Sequence, residues 1–258
     1  MIHLLYRLYE RRLAREIRRG GRGPQHVALI LDGNRRHGER YGVRDPGAIY
    51  AMGAHKLDDV LDWCAALNVP AVTLWVLSTD NFGRPVEQLT GILAAVASKL
   101  SALAADPQIH SRRVRIQAIG QLDLLPAETQ EAIRAAQQAT AAYDGMVLTV
   151  AVAYGGRAEI VDAVRGFLTA QQQRGATLGQ AIEQIDAEAI SRHLYMAGMP
   201  DPDLIIRTSG EVRLSGFLLW QSAYSEFYFS DVYWPAFRKI DFLRAIRSYQ
   251  QRGRRFGG

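Results

Sequence analysis

The sequence predicts a single α/β domain built on a mostly parallel sheet of about six strands, with helices on its faces. Three observations carry this. Six apolar runs of strand length, each bounded by glycine, proline or polar turns, alternate with longer stretches of helical periodicity, the order from which parallel sheets are built. The runs are nearly continuous in their hydrophobicity, as strands covered on both faces are. A length of 258 residues suits one large domain, and 48% hydrophobic against 22% charged residues with no biased tract argues against disorder.

The chain opens with residues 2–19, where Leu4, Leu5, Leu8, Leu13 and Ile17 recur at roughly helical spacing among arginines and Gly20-Gly21 ends the pattern. This predicts a basic amphipathic helix in residues 1–23, ahead of a domain of residues 24–258. Residues 1–23 hold seven arginines and two glutamates, which equals the net charge of +5 for the whole chain. The remainder is balanced, so the basic patch that marks a nucleic-acid binder is not expected. The helix suits packing on its own domain or on a partner, or peripheral contact with a membrane surface. Strands are expected at 27–31, 72–77, 114–119, 147–153, 204–206 and 227–229. Helices are expected at about 46–67, 86–104, 127–142, 157–173, 186–197 and 241–252. A lone cysteine, Cys64, excludes a disulfide framework and a multi-thiolate metal site. No apolar run approaches the ~18 residues of a membrane span, and the first residues lack a signal-peptide core, which predicts a soluble, cytoplasmic chain.

Parallel sheets bind ligands at the carboxyl ends of their strands, and polar residues concentrate there. The first strand runs into Asp32-Gly33-Asn34-Arg35-Arg36, an acid, a tight turn and two arginines that suit an anion and a magnesium bridging it. The second leads to Ser78-Thr79-Asp80-Asn81-Phe82-Gly83-Arg84-Pro85, the fourth to Tyr154-Gly155-Gly156-Arg157. The fifth continues as Arg207-Thr208-Ser209-Gly210-Glu211-Val212-Arg213-Leu214-Ser215, a second candidate anion site. Each motif alone also reads as an ordinary polar turn. Glu226, among aromatics at a strand start, needs a cation or a donor if buried. Asp58-Asp59-Val60-Leu61-Asp62 matches an acidic motif of helical prenyl synthases. Here it stands alone, with Leu57, Val60, Leu61 and Cys64 forming the buried stripe and the aspartates facing solvent.

Taken jointly, in order and spacing, these motifs resemble the cis-prenyltransferases, the undecaprenyl diphosphate synthase family, over about residues 25–258. Trp220-Gln221, Glu226 and the closing Arg254-Arg255-Phe256-Gly257-Gly258 complete the pattern. The resemblance implies head-to-tail condensation of isopentenyl diphosphate onto an allylic diphosphate with Mg2+. Asp32 would hold the metal and assist the leaving diphosphate, which Gly33, Asn34, Arg35, Arg36 and Arg44 would surround. Arg207, Arg213 and Ser215 would bind isopentenyl diphosphate, with Glu226 as the second metal ligand. Ser78 and Asn81 would sit between the substrates, with Tyr50, Phe82 and Arg84 beside them. A homodimer is implied, in which Arg255 reaches the neighbouring site.

The pattern has departures. His37 stands where the family usually has Trp, Tyr50 where it has His, Gln88 where it has an acid, and Ala153 where it often has Asn. Val76, where long-chain members often have Ala, implies a shortened tunnel. With Tyr50 and the Tyr6-Arg7-Leu8-Tyr9-Glu10 segment, it resembles short-chain actinobacterial members that make (2Z,6E)-farnesyl diphosphate from geranyl diphosphate. The alternatives are a long polyprenyl product and a non-catalytic accessory subunit. An accessory subunit would lack much of the set formed by Asp32, Asn81, Arg207, Arg213 and Glu226.

Overall fold

The six apolar runs pair into one parallel sheet. The computed structural model describes residues 2–252, and the side chains of residues 6–252. Its strands are β1 (His26–Ile30), β2 (Ala71–Trp75), β3 (Val114–Ile119), β4 (Met146–Ala151), β5 (Leu204–Arg207) and β6 (Glu226–Phe229), ordered β3-β4-β2-β1-β5-β6 with every neighbour parallel. All begin and end within two residues of the expected bounds. Side chains alternate between faces along each strand. Val27, Leu29, Val72, Leu74, Leu148 and Val150 join the larger core cluster, whereas Ala28, Ile30, Trp75 and Ile205 join the smaller one.

The helices are α1 (Ile2–Arg19), α2 (Asn34–Arg40), α3 (Pro46–Ala66), α4 (Val86–Ala105), α5 (Pro107–Ser111), α6 (Ala127–Thr140), α7 (Gly156–Gln173), α8 (Leu178–Gln184), α9 (Ala187–Ser191) and α10 (Lys239–Arg252). Residues of α3, α4, α6 and α10 fill the larger cluster, while Met196, Phe217 and Leu218 cover the other face. By length and composition α4 could reach across a membrane, but here it is a core helix, with Ile92, Leu93, Val96, Leu100 and Leu103 buried. The expected helix at 186–197 stops at Ser191. The Tyr195 N–H that would continue its ladder instead donates to Glu159 Oε1 at 3.0 Å.

Of the uses open to the N-terminal helix, the structure displays packing on its own domain. Leu13 and Ile17 are buried in the same cluster as Ile246 of α10. The Gln250 amide donates to Ile17 O at 3.0 Å and Gly21 O at 3.2 Å, satisfying carbonyls that a helix end leaves free. The arginines mostly face outward. Arg7, Arg11, Arg15 and Arg18 line a groove with Trp63 and Lys239.

The acidic run on α3 is a solvated face, as expected. Asp58, Asp59 and Asp62 each meet a cation, at 2.5 Å (Lys99), 2.6 Å (Lys56) and 2.6 Å (Arg112).

Candidate active site

Register alone assembles the site. Ile30 lies opposite Trp75 of β2 on one side and Arg207 of β5 on the other. The segments just beyond these residues, Asp32–Arg36, Ser78–Arg84 and Arg207–Ser215, therefore open side by side. The chain leaves β1 toward β2 and leaves β5 toward β6. The gap between β1 and β5 is thus a topological switch point, where open α/β sheets place their ligands.

A cleft of about 500 Å3 lies there, lined by Asp32, Gly33, Asn34, Arg35, Arg36, Tyr50, Ser78, Asn81, Arg84, Arg207, Arg213 and Ser215 together with Trp75, Val76, Asp80 and Glu211. Five arginines against three carboxylates make it an anion receptor. Arg207, whose side chain is 6% exposed, donates to Asp32 Oδ2 at 2.9 Å, to Ser215 Oγ at 2.8 Å and to the Arg213 carbonyl. Asp32 Oδ1 accepts the Gly33 N–H at 2.7 Å. Arg36 spans Ser209 Oγ at 2.8 Å, Asp32 at 3.5 Å and Glu211 at 3.5 Å, and lies over the Tyr233 ring. Burial alone would raise the Asp32 pKa, but the Arg207 hydrogen bond and charge, the Gly33 N–H and Arg36 together hold it below the usual carboxylate value.

The loop after β5 is strained in a way the sequence hides. Among the described residues, six non-glycines have positive φ, and Ser209 (82°), Ser215 (51°) and Leu218 (44°) lie in this one loop. Such strain persists where surrounding structure over-determines it, and collects at ligand sites. Gly33 has φ 99°, and a Cβ there would meet the Tyr233 ring at 2.7 Å, so the turn carrying Asp32 requires glycine.

Asn34 Oδ1 and Arg207 Nε are buried without a hydrogen-bond partner. Each such atom costs about 1–3 kcal/mol; an anion in the cleft would pair with the Arg207 donor, whereas the Asn34 oxygen calls for a donor or a cation. Asn34, with Leu31, Tyr50 and Val76, also lines a second, apolar cavity of about 80 Å3 running between α3 and α4. A charged receptor thus opens into an apolar pocket through a shared wall.

Three expected residues lie elsewhere. Arg44 lines an adjoining cleft with Arg35, Glu39 and Tyr50. Phe82 packs on the core. Arg255 lies outside the described residues. Glu226 starts β6 opposite Leu204 and takes Arg252 at 3.0 Å. Parallel strands place that end of β6 at the opposite edge of the sheet from Asp32, so within one chain the expected metal pair is not assembled. Among the described residues, no group of three or more His, Cys, Asp or Glu converges on one point. The sequence reading missed Trp75 as a wall residue and gave Glu211 no role beyond its place in the candidate anion segment. Trp75 looked like core, and it does stack on Phe217 at 5.1 Å between centroids.

The model of the undecaprenyl diphosphate synthase family of prenyltransferases matches residues 30–257. The chain belongs to the cis-prenyltransferases. It is 54% identical over 250 residues to an isoprenyl transferase of Deinococcus radiodurans, covering 96% of this chain and 90% of that one. It is 51% identical over 253 residues to the (2Z,6E)-farnesyl diphosphate synthase of Thermobifida fusca, covering 98% and 97%. Among solved structures it is similar to lavandulyl diphosphate synthase from Lavandula x intermedia in complex with dimethylallyl diphosphate, with TM-score 0.82 and 33% identity over 92% of this chain and 99% of that one. This cis-prenyltransferase is accordingly an enzyme of isoprenoid biosynthesis.

Gly53 of α3 offers a test of the shared wall. A Cβ there would lie 2.3 Å from Asn34 Oδ1 and 3.1 Å from Trp234. The obstructed atom ends a short side chain that can rotate away. Gly53→Ala is therefore expected to lower kcat/KM by about 10- to 100-fold through misplacement of Asn34. The melting temperature should move by only a few degrees, and a large loss of stability with unchanged kinetics would contradict this account.

Proposed function

We propose that the enzyme condenses isopentenyl diphosphate head-to-tail, in cis, onto an allylic diphosphate, with geranyl diphosphate as primer and a short (2Z,6E)-farnesyl-type diphosphate as product. The observation that carries this reading is the passage from a five-arginine cleft into an apolar cavity through Leu31, Asn34, Tyr50 and Val76. The charge of the first suits a diphosphate and the apolar lining of the second suits a prenyl tail. Arg35, Arg36 and the Asp32–Asn34 turn surround the allylic diphosphate, with Arg44 at the margin. Arg207, Arg213 and Ser215 take isopentenyl diphosphate. Ser78 and Asn81 lie between the two groups, where the allylic carbon–oxygen bond breaks, the new carbon–carbon bond forms and a proton is lost. Fixed positive charge around the departing diphosphate stabilises the charge that develops as it leaves.

The donor set fits Mg2+ bound through Asp32 and substrate phosphates. This ion commonly takes one or two carboxylates plus phosphate oxygens, and an ionised carboxylate has lone pairs beyond those that Gly33 and Arg207 occupy. When bound, Mg2+ would supply charge neutralisation at the diphosphate.

A short product is supported by Val76 at the junction. A long polyprenyl product would need this cavity to open along α4, where Ala95 is small. The reading includes a homodimer through the edge of the sheet at β6, whose Phe227 and Phe229 rings stack half-buried, and peripheral contact of the α1 arginines with an anionic membrane surface on the cytoplasmic side. Light scattering and co-sedimentation with phosphatidylglycerol vesicles check these two.

The deciding experiment is mass spectrometry of products from Mg2+, labelled isopentenyl diphosphate and either geranyl or farnesyl diphosphate. A C15 product from geranyl diphosphate is expected. A ladder of long products would replace the short-chain reading, and no labelled prenyl product from either primer would overturn the whole of it.

A further inference from the structure

Among the described residues lining the apolar cavity, Lys99 alone is charged. Its side chain is 16% exposed, and its Nζ lies 2.5 Å from Asp58 Oδ1, on a side chain 49% exposed. Lysine at an apolar wall normally lays its methylene stem along that wall and carries its ammonium out to water or to a partner. Here the partner sits on the facing helix. Asp58 belongs to α3 and Lys99 to α4, the two helices that flank the cavity.

The residues one turn earlier on each helix are small. Ala54 precedes Asp58 by four positions, Ala95 precedes Lys99 by four, and both alanines line the cavity while partly exposed. Residues four apart share a helix face. The seam between α3 and α4 is therefore thin at the alanines and bridged one turn on by the ion pair. The bridge also lies deep. Asp58 is eight residues, or about 12 Å of helix, beyond Tyr50 at the junction with the cleft.

We propose that the Lys99–Asp58 pair is a latch across this seam that sets the length at which the prenyl chain stops growing. This rests on the reading of the cavity as the site of the prenyl tail. A tail extending from the cleft passes Tyr50 and Val76 and advances between the helices until it meets the lysine stem and the closed pair. Further growth requires the tail either to part the two charges or to fold back toward the cleft, and both disfavour another condensation. With the pair removed, the tail passes out between the helices where Asp58 and Lys99 now meet, and growth continues.

The test is the product distribution of Asp58→Asn, Lys99→Ala and Lys99→Arg beside the unmodified enzyme, each given labelled isopentenyl diphosphate and geranyl diphosphate. The rate of the first condensation is measured separately. Asp58→Asn nearly preserves shape on a half-exposed side chain and keeps the variant folded even where Lys99→Ala does not. Both of these variants are expected to lengthen the principal product by at least one C5 unit, and Asp58→Asn, outside the cavity lining, to keep the first condensation within about two-fold of the unmodified rate. Lys99→Arg, which keeps the charge, should retain the original length. Unchanged product length in active Asp58→Asn and Lys99→Ala overturns the latch. Absence of prenyl product from the unmodified enzyme overturns the reading of the site instead, and the latch with it.

Discussion

Asp32→Asn is expected to lower kcat/KM by about two to three orders of magnitude while leaving a folded protein. On the proposed reading Asp32 holds the Mg2+ that would neutralise the departing diphosphate, and loss of such electrostatic stabilisation typically has this effect on rate. The reason the fold survives lies in the same contacts. An asparagine oxygen still accepts either the Gly33 N–H or the Arg207 guanidinium, and Arg207 keeps Ser215 and the Arg213 carbonyl. Asp32→Ala behaves differently, because it leaves a guanidinium 6% exposed without its counter-charge. Removing one partner of a fully buried pair costs about 3–5 kcal/mol, but Asp32 is 31% exposed, and about 2 kcal/mol is the expected loss.

The pH dependence follows from the depressed Asp32 pKa. A carboxyl held lower in the folded chain than in the unfolded one contributes stability above its unfolded value, near 4, and loses it as pH falls through the folded value. The melting-temperature gap between the unmodified protein and Asp32→Asn should therefore close in acid. Steady-state kinetics and thermal melts from pH 7 to pH 3 check both parts, and an active Asp32→Asn enzyme would remove Asp32 from the chemistry.

Glu159→Ala is expected to be the most destabilising single change, by about 3–5 kcal/mol. Glu159 is fully buried in α7. It accepts the Tyr154 hydroxyl, the Tyr195 N–H at 3.0 Å and the Gln221 amide at 3.0 Å. Truncation strands three donors that come from the loop after β4, the turns beyond α9 and the segment before β6. At about 2–4 °C per kcal/mol, the melting temperature should fall by about 6–20 °C.

Glu159→Gln keeps most of these contacts and should cost far less. Burial raises the Glu159 pKa, and the bonds from Tyr154, Tyr195 and Gln221 only partly offset that rise. A raised folded value means that its contribution is full below the unfolded pKa and declines as pH rises through the folded one. The unmodified protein should thus lose ground to Glu159→Gln with increasing pH. The opposite trend would mean that the carboxylate is better stabilised in its ionised form than burial allows.

Much of this molecule is legible in its sequence, for identifiable reasons. Parallel strands buried on both faces leave uninterrupted apolar runs, so their bounds were readable to within two residues. The motifs at their carboxyl ends announced the cleft because few other roles concentrate arginine, glycine and carboxylate directly after a strand. Strand order was not readable, since no local pattern states that β5 returns beside β1. Glu226 shows the consequence. Its residue type suited a metal, but only the sheet reveals which edge it occupies. Glu159 escaped notice because an acid in the first turn of a helix ordinarily reads as a surface group complementing the helix dipole. Lys99 escaped because a lone lysine in an alanine-rich helix reads as a solvated face. Helix α2 was taken for a turn, since Gly33 in the left-handed region hides the helix it precedes.

The bond from Arg207 to Asp32 joins positions 175 residues apart, and β1 pairs with β5 across a similar interval. A growing chain therefore holds half a receptor until β5 has been made, and cannot close the site around a diphosphate before then. Once complete, a ligand that spans the two halves stabilises the long-range closure itself, and its binding should slow hydrogen exchange along β1 and β5 more than along β3.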